Sequence, residues 1–436
     1  MEIDKDYPRI LIISHNAFST ILNNGKTYSS IFAGWPKDKI AQLFFQNEVP
    51  DFSVCENFFH ITDEEMVMGS KNSIGKKIEK TEVNMIKKTI SPIHSYVRKK
   101  PMPFFNFLRN VVWSTGKWNN KRLNQWLDNF NPEAVFFVGG PNAFSYKITK
   151  AIADRYNTPV YLYYTDDYIT PIRTIDPFWW INYFWLKKSL NKLLVRIKNV
   201  FVIGEDMGNE FGTRLNKNCI PIMNAVDVEE YLKRRVEKKV PEKSIELAYF
   251  GGLHLNRWKT LLVIAESLKE INTEEKLEMK LNIYSSKPVE ETLLKKFDDH
   301  PCINFRGTVN EKQIIDEMQK YDVLVHVESF DKKMISKTRL SISTKIPEYL
   351  ASGKVILGVG PEELSSIKYL KKLGFTFLAE KFDKNLIKQK LKEMLAQKDR
   401  FYEIGRKAIL TAKANHSIEN NKNIVKHVIS KNASEK

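Results

Sequence analysis

Short runs of consecutive apolar residues recur along this chain, each followed by a longer polar or amphipathic stretch. In the first half the runs are ILIIS after Arg9, AQLFFQ from Ala41, EAVFFVGG after Pro132, VYLYY after Pro159 and VFVIG after Asn199. In the second half they are ELAYFGG after Ile245, LNIYS after Lys280, NFRGTVN after Ile303, VLVHVES after Asp322, VILGVG from Val355 and TFLA after Phe375. Runs that are apolar at every position predict strands buried on both faces, as in a parallel sheet. The stretches 145–156, 205–215, 311–320, 385–395, 400–415 and 417–429 carry helical spacing. So does the part of 253–268 in which Leu261, Leu262, Ala265 and Leu268 share a face, and Pro361 is expected to open a further helix as its first residue. This alternation predicts the α/β class with two Rossmann-like domains. The expected boundaries are 1–222 for the first domain, 223–243 for a charged linker, 244–415 for the second domain and 416–436 for a terminal helix and tail.

Composition adds limits. At 436 residues the chain is long for one core, which agrees with two domains. Cys55, Cys219 and Cys302 are far apart and none belongs to a CxxC pair, so neither a disulfide framework nor a zinc site is expected. A reducing, cytoplasmic setting follows from that usage. No apolar run suits a signal peptide or reaches the ~18 residues of a membrane span. The net charge of +17 calls for anionic partners. No zinc-finger, RNA-recognition or basic-zipper pattern is present, so nucleic acid is not the expected one. A different candidate is the stretch from Pro177 to Lys198, where Phe178, Trp179, Trp180, Tyr183, Phe184 and Trp185 precede Lys187, Lys188, Lys192, Arg196 and Lys198. That order fits an amphipathic helix lying on an anionic membrane surface, or a helix whose aromatics fill a core.

Candidate chemistry gathers where strands end, since open α/β sheets bind ligands beyond the carboxyl ends of their strands. The loop after the first strand holds His15 and Gly25, with a helix expected from Tyr28. Asp166 and Asp167 follow the VYLYY strand, as candidates for sugar hydroxyls or as turn residues. In the second half, Gly252, Arg257 and Lys259 follow ELAYFGG, Gly307 follows NFR, and Glu328 closes VLVHV. The stretch SISTKIPEYLASGK, Ser341 to Lys354, is the most specific. Ser343 and Thr344 are good N-caps, Pro347 sits in the first turn, and Gly353 stands where the helix would end. A helix start with unpaired N–H groups and the charge of Lys345 makes an anion site of phosphate size.

The string TKIPEYLASGKVILG resembles the donor-site segment of the GT-B glycosyltransferases. That resemblance implies two domains facing across a cleft, with a C-terminal helix crossing back to the first. It implies transfer of a sugar from a nucleotide diphosphate-sugar to a glycan or lipid-linked acceptor, as in surface polysaccharide synthesis, with retention of configuration. It also implies no metal and no cofactor beyond that co-substrate. Residue by residue, Ser343, Thr344 and Lys345 would meet phosphate and Glu348 the ribose. Arg257, with Lys259 assisting, would neutralise the diphosphate, and the Gly307 turn would lie beside the base. Gly25 would approach donor and acceptor. Asp166, Asp167 and His15 are the candidates for the catalytic base, and Glu328 is a candidate donor contact. Three positions depart from the family pattern: Thr165 stands for a His, Gly252 for an Arg, and Leu340 for a Glu. A non-catalytic GT-B-like subunit binding a glycan or nucleotide is the alternative those departures favour.

Overall fold

The computed structural model describes residues 7–19, 23–80, 103–237, 240–285 and 289–433. The basic stretch 81–100 lies outside the described residues. The chain divides into two compact units, residues up to Ile222 together with those from Asn421, and Met223–Asn420.

In the first unit, among the described residues, eight strands form one sheet. They are β1 (Ile10–Ser14), β2 (Ile40–Phe44), β3 (Asn57–His60), β4 (Lys76–Ile78), β5 (Ala134–Val138), β6 (Val160–Tyr164), β7 (Ile197–Val202) and β8 (Cys219–Pro221). Their order is β4-β3-β2-β1-β5-β6-β7-β8. Ile10 stands opposite Ile40 on one side and Ala134 on the other, both in parallel register. Only β4 runs antiparallel to its neighbour. β1, β2, β5 and β6 are buried at every position, as continuous apolar runs require. The strand order reverses between β1 and β5, which makes the ends of those two strands the switch point of the sheet. The terminal helix Ile418–Ala433 returns to this unit, where Val425 and Ile429 join the core of Ile10, Ile12 and Phe136.

In the second unit, among the described residues, β9 (Ser244–Phe250), β10 (Glu278–Tyr284), β11 (Ile303–Gly307), β12 (Val323–Val327), β13 (Val355–Val359) and β14 (Phe377–Ala379) form a parallel sheet. The order is β11-β10-β9-β12-β13-β14, with its switch point between β9 and β12. Successive residues feed opposite cores. Leu247 and Tyr249 face one apolar cluster, while Ala248 and Phe250 face the other.

Several local expectations change. The helix expected from Tyr28 begins at Asn23, so Gly25 lies in its first turn rather than in an open loop. A Cβ on Gly25 would come 2.4 Å from the Ala17 carbonyl oxygen, so glycine lets the helix start press against the chain after β1. The stretch 223–243 is not a free linker. It contains the helix Val228–Lys233, whose Val228 and Tyr231 are buried in the second unit. Glu229, Glu230 and Lys233 of that helix are exposed, so polar composition hid two core anchors. The helix after Pro361 begins at Ser365, because 361–364 close a turn in which Leu364 N–H donates to the Pro361 carbonyl.

Candidate functional site

The residues from Ser343 to Gly353 form the expected short helix, Lys345–Ser352, stopped by Gly353 at φ 68°. Ile346, Tyr349 and Leu350 are buried and hold it to the sheet. The Tyr349 hydroxyl accepts the Phe250 N–H at 2.9 Å, which fixes the helix against the end of β9. At the helix start the Ser343 hydroxyl accepts the Lys345 N–H at 3.3 Å. Thr344 is exposed and its side chain makes no cap bond. Lys345 Nζ lies 2.7 Å from Glu348 Oε2, so the expected phosphate cation and ribose carboxylate are paired one turn apart.

Arg257 opens the long helix Arg257–Glu275 that follows β9. Leu255 and Asn256, just before it, both take left-handed φ, 61° and 59°. A leucine in that region is strained, and such strain collects at functional loops. The guanidinium reaches the end of β12, where Nη2 and Nε meet the Glu328 carboxylate at 2.9 to 3.1 Å. The pair sits on the β9/β12 switch point. Glu328 is 4% exposed, and burial lifts its carboxyl above the usual carboxylate range against the pull of Arg257. Thr260 Oγ1 donates to the Glu328 carbonyl at 2.9 Å and pins the strand end. Lys259 Nζ pairs with Asp331 at 3.2 Å. Tyr349 ties the helix of Lys345 and Glu348 to the end of β9, and Arg257 opens the helix that follows β9 and bonds Glu328 after β12, so both cation–carboxylate pairs stand at the carboxyl ends of neighbouring strands. The Gly252 carbonyl accepts the Tyr249 hydroxyl at 2.8 Å, closing the loop between β9 and Arg257. Gly307 ends β11 at φ 71°, and its carbonyl accepts the Ser285 N–H at 2.8 Å. Leu340, where the family pattern has a Glu, is 3% exposed. A carboxylate would be desolvated there.

Sequence reasoning did not single out His326. It lies on β12 beside Glu328, with Nε2 buried, without a hydrogen-bond partner and 3.6 Å from Glu328 Oε1, and burial followed by Arg257 lowers its pKa to about 3. Nothing in the run VLVHV separates it from a core histidine.

The first unit gathers its candidates at the same edge of its own sheet. His15 follows β1, its ring edge-on to Phe45 and Phe144. Both ring nitrogens are buried without partners, and burial with Arg109 lowers its pKa to about 3. Asn142 follows β5 and Thr165 follows β6. Each also has a buried side-chain oxygen without a hydrogen-bond partner. Three neighbouring strands thus end in polar atoms that no protein group satisfies, places for a ligand or an ordered water to meet. Asp167 takes the turn role, accepting the Ile169 and Thr170 N–H groups at 3.2 and 2.9 Å. Asp166 accepts the Tyr168 hydroxyl at 3.3 Å. Among the described residues no group of three or more His, Cys, Asp or Glu side chains is placed to hold a metal ion.

The helix Pro177–Leu193 splits its aromatics. Trp179 stacks on Tyr183, Trp180 Nε1 donates to the Thr174 carbonyl, and Trp185 stacks on Phe107. The tryptophans are half-buried in these contacts, and Phe184, 57% exposed, points outward.

No family model matches the chain, and no curated protein sequence does. Solved structures do. A glycosyltransferase from Rickettsia africae has TM-score 0.62 at 12% identity, covering 98% of this chain and 99% of that one. Anabaena HepE in complex with UDP has TM-score 0.61 at 10% identity, covering 97% and 100%. Sucrose-phosphate synthase from Thermosynechococcus elongatus has TM-score 0.61 at 9% identity, covering 98% and 99%. With its two switch-point sheets and a terminal helix returning to the first unit, this chain has the GT-B fold.

Proposed function

We propose that the chain is a glycosyltransferase that takes a sugar from a nucleotide diphosphate-sugar and passes it to a glycan or lipid-linked acceptor in surface polysaccharide synthesis. The observation that carries this reading is the flanking of one sheet edge by Arg257–Glu328 and Lys345–Glu348. Glu328 holds Arg257 in place, and Glu348 holds Lys345 until a diphosphate replaces it. Arg257 and Lys345, with the N–H groups of the Lys345–Ser352 helix start, would take the charge that develops on the leaving diphosphate. Lys345 turning to phosphate would release Glu348 to accept ribose hydroxyls. Such cations serve without a metal or cofactor, and the family resemblance gives retention of configuration. HepE, with the same fold, is seen with UDP and with UDP-glucose. On the first unit, His15, Asn142 and Thr165 offer hydrogen bonds to an acceptor hydroxyl. A histidine kept neutral to about pH 3 is a weak base, so His15 would orient rather than deprotonate.

A panel of nucleotide diphosphates in isothermal titration, with turnover followed by mass spectrometry, tests the proposal. Lys345→Ala should weaken nucleotide diphosphate binding about tenfold or more, since a charge-assisted hydrogen bond contributes ~1.5–3 kcal/mol. Its melting temperature should stay the same. Unchanged affinity would sink the phosphate assignment. The buried Leu340 favours one other reading, a non-catalytic subunit. Tight donor binding with no transfer to any acceptor would support that reading instead.

A further inference from the structure

Seven of the fifteen large apolar side chains exposed among the described residues belong to two helices and one loop of the first unit. Phe104, Phe105, Leu108 and Val111 fall at helical spacing on one face of the Pro103–Ser114 helix, each 40 to 44% exposed. Ile181 and Phe184 share the outer face of the Pro177–Leu193 helix, and Ile175 stands fully exposed in the loop before it. The two helices are fixed to each other. Asn110 Nδ2 donates to Asn182 Oδ1 at 3.0 Å, Asn182 Nδ2 donates to the Pro103 carbonyl at 2.8 Å, and Phe107 packs against Phe178 and Trp185. The apolar face is therefore a built platform, larger in kind than the single exposed residues scattered elsewhere.

The platform is edged by cations. Lys187, Lys188 and Lys192 continue the exposed face of the second helix beyond Phe184, and Arg173 lies beside Ile175. Among the described residues none of these four forms an ion pair with a carboxylate. Lys147 leans over the Trp185 ring at 5.6 Å. Its own pKa is lowered by burial and then by Lys192 and Lys188, as expected where cations crowd without counter-charge. Asp63 takes Arg109 and Trp113 at 2.7 Å each, and Asp176 caps its own helix.

We propose that this face docks on the surface of an anionic lipid bilayer, with Phe104, Phe105, Leu108, Ile175 and Phe184 entering the headgroup boundary and the lysines meeting lipid charge. Among the described residues no helix is long and apolar enough to cross a membrane, so the helices lie in the surface plane. A second copy of the chain is the poorer occupant. A twofold contact would set the same lysine cluster against itself. The docking stands whether or not the chain transfers sugar.

Co-sedimentation of the full chain with vesicles tests it. Vesicles of phosphatidylcholine with about one third phosphatidylglycerol should carry the protein down, and pure phosphatidylcholine should bind it at least tenfold more weakly. The triple variant Phe105→Ser, Leu108→Ser, Phe184→Ser should lose at least tenfold in binding with its melting temperature kept. The variant Lys187→Glu, Lys188→Glu, Lys192→Glu gives a second measure should the first fail to fold, and should bind no better than wild type at 0.5 M salt. Equal binding to both vesicle types would overturn the proposal, as would no binding to either. A dimer in analytical ultracentrifugation that the apolar variant dissolves would also overturn it, by assigning the face to a second copy.

Discussion

Arg257 and Glu328 are the residues on which the second unit's site turns. Side chains 71 positions apart meet through three hydrogen bonds, in a place where Glu328 has almost no contact with water. Removing one member of such a pair leaves the other charge buried alone, which costs more than the pair itself contributes. Arg257→Met should therefore destabilise the fold by about 3–5 kcal/mol in urea denaturation. Adding Glu328→Leu should recover most of that loss. A double variant as unstable as the single one would show that packing, not charge, is what Arg257 supplies. Each of these residues stood out in the sequence as a charged side chain at a strand end. Their pairing did not, because only the folded sheet brings the end of β12 to the helix after β9. Lys345 and Glu348 differ in this respect. One helical turn separates them, so their contact was legible from spacing alone.

At the scale of elements, the short helix Lys345–Ser352 follows its local sequence closely. Its stop is a backbone requirement: Gly353 holds φ 68°, and a Cβ there would come 2.8 Å from Ile409 Cδ1. Gly353→Ala should cost more than ~1 kcal/mol by denaturation, since strain and collision add to the lost left-handed freedom. Stability equal to wild type would mean that the helix end moves freely. Strands such as β1, β5 and β13 were equally legible, because burial on both faces leaves a nearly unbroken apolar run. β3 and β4 were not. β4 is KKI with two exposed lysines, and its pairing with β3 is antiparallel at the sheet edge, where side chains need not be apolar. The tryptophans of the Pro177–Leu193 helix show the converse limit. Composition left open an interfacial helix or one whose aromatics fill a core, and which ring points outward depends on what the Pro103–Ser114 helix covers.

For the whole molecule, His15, His60, His326 and His416 contribute to the response to acid. Burial lowers His15 and His326 to about 3 and His60 and His416 to about 4. In the unfolded chain each protonates near 6.5. Between those values the unfolded state binds more protons, so the stability these groups support is complete above about pH 6.5 and falls away as the pH drops toward 3. Each contributes a loss of up to about 1.4 kcal/mol per pH unit. The urea midpoint should fall between pH 7 and pH 5.5, and a His15→Gln, His326→Gln variant should show a shallower fall. A midpoint flat across that range would contradict the neutral, buried state of these rings.

From its sequence alone this chain was an α/β protein of two Rossmann-like domains with a short helix starting near Lys345. Those features are local: apolar runs, caps, glycine stops and one-turn spacings are written in neighbouring residues. Tertiary structure decided the rest. It placed Arg257 on Glu328, set His15, Asn142 and Thr165 at three adjacent strand ends, buried Val228 and Tyr231 in the second unit's core, and turned Phe184 outward while stacking Trp185 on Phe107. Each of these depends on which distant element lies alongside, and burial, which sets the energy of every charge and ring involved, is a property of that packing and not of the residue.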